Sequence, residues 1–431
     1  MARDQAGACV LPQWRLPAPS SGVGAAGSAL RSVAIDGNGH GVAAWETSSP
    51  GRTTVQLGEE TKPGSWTVAE PLPGNNSAPV VAADSDGAAI LAWVRGGEGV
   101  FISERDASGS FHESSAPFAP GGVEPFVARG MAGEWLLAWC QPTRTGWGVA
   151  VARRGPGERS WERPRDAEDV LSPAILYANQ PRVAANARGD VAVAWYQSEG
   201  VPLMTYVSER TATGAFSRPA AHDHLSPSGA AVASDPIANP KPAVGPDGEA
   251  AVAWVQENGR GATPVYLATR DAHGTWTKPA DLASAFSQTV TAARDVEVAF
   301  SSDGELFVVW LQDGAAYAAR RGRDGSWIDA GRNPSRLSSP SRTAYGITLA
   351  AGDGGGVVAA WVEIDGPHDA RVAARRTGVD RPTWSALEWL SPEHGGEVGA
   401  PSAAIGPGHR TLVGWGSGPP GISRLVFASI E

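Results

Sequence analysis

Four glutamines stand at one fixed distance from a tryptophan. Gln141, Gln197, Gln256 and Gln312 lie two residues beyond Trp139, Trp195, Trp254 and Trp310. The same place after four further tryptophans holds Thr47, Arg95, Glu363 and Ser417. An amide both donates and accepts, so a ring of glutamines suits neutral polar ligands such as sugar hydroxyls. Its other use is to satisfy backbone groups at strand ends. A second set sits just ahead of the apolar residue in each repeat's first short run: Ser32, Val80, Phe126, Arg182, Lys241, Glu297, Thr348 and Ser402. Here Arg182, Lys241 and Glu297 are consecutive, and such lopsided charge is what one specific site would need. Ordinary solvated entrance residues are the alternative.

Other candidates are more isolated. Trp147 offers either a stacking platform for a sugar or packing over its own loop. His222-Asp223-His224 is the only close histidine pair, and residues two apart on an extended segment point the same way. No third ligand follows nearby, so no metal or other cofactor is expected. Of the tyrosines, Tyr177, Tyr196 and Tyr345 fall near the same rim. No nucleophile elbow, phosphate loop or metal-protease motif occurs, and no catalytic residue is assigned. Cys9 and Cys140 fall at opposite ends of distant elements, which predicts two unpaired thiols.

Composition excludes several partners. A net charge of −10 lacks the basic footprint that phosphate binding needs, so no nucleic acid is expected. No apolar run approaches the roughly 18 residues of a membrane helix. Gly (54) and Pro (34) are frequent in the 431 residues, which suits many turns. Lysine occurs only at Lys62, Lys241 and Lys278 among many arginines, a bias expected of a GC-rich bacterium. Residues 1–9 hold no apolar core of a signal peptide; a removed export signal and a cytosolic start remain open.

The elements that must position these residues are repeats. A tryptophan ends an apolar run at Trp45, Trp93, Trp139, Trp195, Trp254, Trp310, Trp361 and Trp415, at spacings of 46 to 59 residues. Eleven residues earlier stands Ala in every unit: Ala34, Ala82, Ala128, Ala184, Ala243, Ala299, Ala350 and Ala404. Such a recurrent Ala implies a crowded inner position. Six residues before the tryptophan, seven units carry Gly and the eighth His409. Each block therefore reads as a β-hairpin with a tight turn. A third strand, often ending in Arg, and a fourth beginning at an aromatic (Trp66, Phe111, Trp161, Phe216, Trp276, Trp327, Trp384) complete a blade.

The last unit lacks its fourth-strand aromatic, and Trp14 near the other end supplies one. The expected fold is all-β: an eight-bladed propeller of four-stranded blades, closed by the N-terminal strand completing the last blade. Residues 1–11 would be a tail and 12–431 one domain.

The turns Arg105-Asp106-Ala107-Ser108-Gly109-Ser110-Phe111 and Arg270-Asp271-Ala272-His273-Gly274-Thr275-Trp276 carry Asp, Gly and an aromatic between strands three and four, and Arg323-Asp324-Gly325-Ser326-Trp327 is a shorter copy. The pattern resembles the Asp-box of sialidase-like (BNR-repeat) propellers, an architectural motif. Eight blades depart from the six of family sialidases, and Arg15-Leu16-Pro17 only loosely echoes their early Arg-Ile-Pro segment. The expected function is recognition of a glycan or a protein on the channel-mouth face, by a secreted, surface or periplasmic protein. The alternative is an enzyme acting on glycosides or polysaccharides near Arg182 and Glu297. A ring serving only as scaffold is the third reading.

Overall fold

The structure, a computed structural model, describes residues 13–16, 24 and 27–430, apart from 107–108, 131–132, 175–176, 199–202, 213, 229–239, 330, 332, 353, 367–368, 379–382, 392–396 and 419–423. Eight antiparallel sheets follow one another along the chain: blades 1 (28–68), 2 (76–120), 3 (123–162), 4 (178–217), 5 (241–277), 6 (293–336), 7 (343–389) and 8 (397–430). Each first strand packs on the first strand of the next blade, and that of blade 8 on that of blade 1. The ring is closed and the first strands are innermost. The protein is an eight-bladed β-propeller, as the repeat predicts.

Burial explains the pattern of each strand. Second strands are covered on both faces by neighbouring blades, so they read as continuous apolar runs; Leu136, Leu137, Ala138 and Trp139 are all buried. First strands alternate instead. In blade 4, Pro181 and Val183 are buried while Arg182 and Ala184 are half-buried. Val183 packs with the cluster shared with blade 3. The recurrent Ala lies on the opposite face of its strand, as Ala82 of blade 2 does against the core of blade 3.

The glycine six residues before each tryptophan has a conformational reason. Gly39, Gly87, Gly133, Gly189, Gly248, Gly304 and Gly355 all have φ between 77° and 91°. His409 occupies the same left-handed region at 67°.

Arginines at the ends of third strands reach back to the preceding blade. Arg105 meets Asp36 at 2.7 Å, Arg210 meets the fully buried Glu134 at 2.8 Å, and Arg270 meets Glu209 at 3.0 Å. Arg410 of blade 8 and Glu60 of blade 1, both buried, pair at 2.6 Å across the closure. Beside them the N-terminal strand completes blade 8. Arg15 and Ser429 exchange backbone hydrogen bonds of 2.7 and 3.2 Å, and Trp14 packs on the core shared by blades 7 and 8.

The fourth strands differ among blades. In blade 3 the fourth strand is reduced to one bridge, Arg153 with Glu162. In blade 4 it is reduced to the hydrogen bond from Ser217 N–H to the Glu209 carbonyl, 2.7 Å. Trp161 and Phe216 thus mark the expected place without a regular strand.

Two stability outcomes follow from these contacts. Trp14→Ala is expected to lower the unfolding free energy by about 2 kcal/mol, as for a partly buried aromatic, in urea denaturation. Gly133→Ala is expected to cost about 1–2 kcal/mol through its positive φ alone, because the added Cβ meets only ordinary contacts with Pro156.

Candidate functional site at the channel mouth

The second strand of each blade drives an indole into the core. Trp45, Trp93, Trp195, Trp254, Trp310, Trp361 and Trp415 are fully buried. A buried indole N–H needs an acceptor, and the side chain two residues on lies on the same strand face. Trp139, Trp195, Trp254 and Trp310 donate to Gln141, Gln197, Gln256 and Gln312 at 2.7, 3.0, 3.0 and 3.1 Å. Trp361 donates to Glu363 at 2.9 Å. The amide nitrogens are occupied too, Gln197 on the Pro173 carbonyl (2.8 Å) and Gln312 on that of Gln288 (3.0 Å).

This corrects the expectation of a glutamine ring facing ligand. Gln197, Gln256, Gln312 and Glu363 are buried, and Gln141 is half-buried with both ends of its amide engaged. Arg95 is also committed: it pairs with Glu113 and lies over the Phe101 ring at 4.1 Å. Trp93 finds its acceptor elsewhere, in Asn76 at 3.1 Å.

A repeat missed in the sequence sits at the outer edge. Leu171-Ser172, Leu225-Ser226, Phe286-Ser287, Leu337-Ser338 and Leu390-Ser391 each clamp one residue of a third strand. The first amide donates to its carbonyl and the serine hydroxyl accepts its N–H, as at Val372 (2.8 and 2.8 Å). The recurring Leu-Ser pairs carry that signal. The Asp-box-like turns are likewise internal: Asp271 accepts from the amides of His273 and Thr275, each at 2.9 Å.

The first strands place the remaining candidates. Ser32, Val80, Phe126, Arg182, Lys241, Glu297, Thr348 and Ser402 share one register, each opposite the residue that precedes its blade's tryptophan. Just ahead of them five blades carry a β-bulge with a left-handed residue: Ala78, Glu124, Gln180, Asp295 and Gly346, at φ of 47° to 58°. Four are not glycine, a conformation that costs about 1 kcal/mol each and is held by its surroundings. Glu124 itself supplies one restraint. Its carboxylate accepts the Gln180 N–H at 2.6 Å and the Cys140 thiol at 3.2 Å.

The three charged candidates converge. Lys241 and Glu297 form an ion pair of 2.6 Å. Arg182 lies over the Phe126 ring at 4.9 Å and donates to the Pro181 carbonyl at 2.9 Å. Among the described residues no carboxylate oxygen lies within 4.0 Å of that guanidinium. Burial lowers its affinity for the proton, while Glu297 and Glu124 oppose the shift. The site is therefore a desolvated guanidinium beside an aromatic ring and an ion pair, spanning blades 3 to 6.

Other nucleophiles are silenced. Burial, reinforced by Glu124, pushes the Cys140 thiol well up, so it is no thiolate at neutral pH. Cys140 is a free, buried cysteine; Cys9 lies outside the described residues. Tyr196 is buried, donates to the Val255 carbonyl at 3.1 Å and is raised by desolvation. Tyr345 donates to the Val398 carbonyl. Tyr177 is exposed and Trp147 half-buried beside it. His224 is turned to the Ser226 carbonyl at 3.0 Å, and no group of three His, Cys, Asp or Glu able to hold a metal occurs among the described residues.

No protein-family model and no curated protein matches the chain. Solved structures do. A protein of unknown function from Dyadobacter fermentans is 15% identical over 97% of both chains, with a TM-score of 0.45. A polysaccharide lyase, an ulvan lyase, is 12% identical over 79% of this chain and 89% of that one, at 0.47. Prolyl oligopeptidase B from Galerina marginata is 10% identical over 91% of this chain and 56% of that one, at 0.51. The last is a likeness of fold alone. Identities this low carry nothing about activity.

The indole acceptors generate a direct test. Gln312→Ala is expected to destabilise the fold by about 1–3 kcal/mol by leaving the Trp310 N–H unpaired. In a double-mutant cycle with Trp310→Phe, measured by urea denaturation, most of that cost should vanish.

Proposed function

We propose that the protein recognises a carboxylate-bearing saccharide at the channel mouth, one ligand per ring. The observation that carries this reading is the Arg182 guanidinium, which has only a backbone acceptor while its neighbour Lys241 is matched to Glu297. A carboxylate arriving there gains charge-assisted hydrogen bonds without displacing a protein partner. The half-buried ring of Phe126 and the hydroxyls of Thr348 and Ser402 on equivalent positions suit the rest of a sugar, whereas the Ser32 hydroxyl is held by the Val81 backbone. Eightfold lectin-like binding loses its support because the repeated glutamines are consumed by indoles. A secreted or cell-surface setting fits such a ligand, and the Asp-capped turns fit the resemblance to sialidase-like repeats.

A second reading shares the site. Glu297 beside the cations supports an enzyme acting on that saccharide, with Arg182 holding the carboxylate.

Calorimetric titration with oligogalacturonate and with its methyl ester tests both. Binding of the acid form alone is expected, and Arg182→Ala should weaken it about tenfold to a hundredfold, the worth of a hydrogen bond to a charged group. Equal binding of the ester overturns the carboxylate reading. New reducing ends or unsaturated products in the same mixture would establish the enzyme; unchanged chains with intact binding would establish recognition.

A further inference from the structure

We propose that a second saccharide subsite lies where blade 3 meets blade 4, on the face of the channel mouth, with Trp147 and Tyr177 as its stacking surface. The proposal rests on the channel-mouth reading and extends it along the chain of the same ligand. Trp147 opens the third strand of blade 3 (Gly146–Arg154), and Tyr177 precedes the first strand of blade 4 (Ala178–Ala185). A parallel bridge joins their backbones, so two aromatic residues from neighbouring blades stand side by side. Tyr177 is 57% exposed, one of four exposed large hydrophobics among the described residues. Its carbonyl is fixed by the Ser198 N–H at 2.9 Å.

A cavity of about 250 Å³ opens beside Trp147, lined also by Thr143, Thr145, Glu168, Val170 and Arg218. Glu168 uses one carboxylate oxygen for the Arg144 N–H at 2.6 Å and has a second oxygen to offer. Arg218 is matched by Asp169 and the Val170 carbonyl, each at 2.5 Å, so the pocket does not call for an anion. The Trp147 ring flanked by hydroxyls and a carboxylate, with the exposed Tyr177 beside it, complements a pyranose, which presents a C–H face and a hydroxyl edge.

The groove continues outward. A second cavity of about 340 Å³ shares Leu171 and Arg218 with the first and reaches Val151 and Phe216. It exists because blade 3 has no regular fourth strand. Val149 and Arg153 find outer-edge partners in Leu171 and Glu162, and Val151 between them faces the cavity. The two cavities together form a trough along the outer side of blades 3 and 4, from the start of the third strand at Trp147 toward its far end at Arg153.

The test compares trigalacturonate with the same trimer extended by neutral galactose units (the long chain) by titration, on the wild type, Trp147→Ala, Tyr177→Ala and Arg182→Ala. Both aromatic variants should lose about tenfold in affinity for the long chain, the scale of one aromatic contact, and bind trigalacturonate as the wild type does. The long chain should also slow hydrogen exchange in 143–148 and 177–180. Long-chain affinity unchanged in both aromatic variants overturns the subsite. Trigalacturonate binding unchanged in Arg182→Ala, with long-chain binding lost in Trp147→Ala, overturns the channel reading and keeps the groove. A wild type that binds neither chain overturns both.

Discussion

The fold turns on an indole at the end of each second strand. Between two packed blades water is excluded, so the ring supplies apolar burial while its N–H demands an acceptor. The neighbour two residues on is the nearest side chain on that face, and in five blades it is a Gln or Glu that accepts. That demand fixes the chemistry of the position in those five blades, while the Trp45 and Trp415 N–H groups stay buried without a partner among the described residues. It also takes out of circulation the polar residues that look most like a binding ring.

The repeat leaves other positions unconstrained. Equivalent places on the first strands hold Ser, Val, Phe, Arg, Lys, Glu, Thr and Ser, because packing there asks only for a side chain that fits the channel side. Bulges with left-handed residues re-aim this stretch, and carboxylates reach across blades to hold them: Glu46 binds the Ala78 N–H at 2.6 Å, Glu124 that of Gln180. The charged cluster of Arg182, Lys241 and Glu297 is thus mounted on a rigid inner wall. The other departure from symmetry, the weakened fourth strands of blades 3 and 4, opens a groove along their outer edge.

Closure obeys the same logic of satisfying what is buried. Arginines at third-strand ends neutralise carboxylates of the preceding blade, and at the closure the roles are reversed, Glu60 on the third strand of blade 1 meeting Arg410 on the first hairpin of blade 8. Such pairs are worth little when exposed, but an unmatched Glu134 or Glu60 in the core would be costly, so each pair specifies which blade sits beside which.

The sequence by itself determined the eight blades, the hairpin turns and the part played by Trp14. Those features arise from local rules: a left-handed turn wants Gly, a strand covered on both faces wants an apolar run, and an open ring must pair its last edge. It also brought Arg182, Lys241 and Glu297 into one set, since equal spacing from the tryptophans means equal place on the blades. What only the tertiary structure decided is which polar groups are spent. Gln197 and Arg182 look equally available on paper; one proves to be locked under an indole and the other lacks a carboxylate, because hydrogen-bond partners come from distant parts of the chain that spacing alone cannot rank.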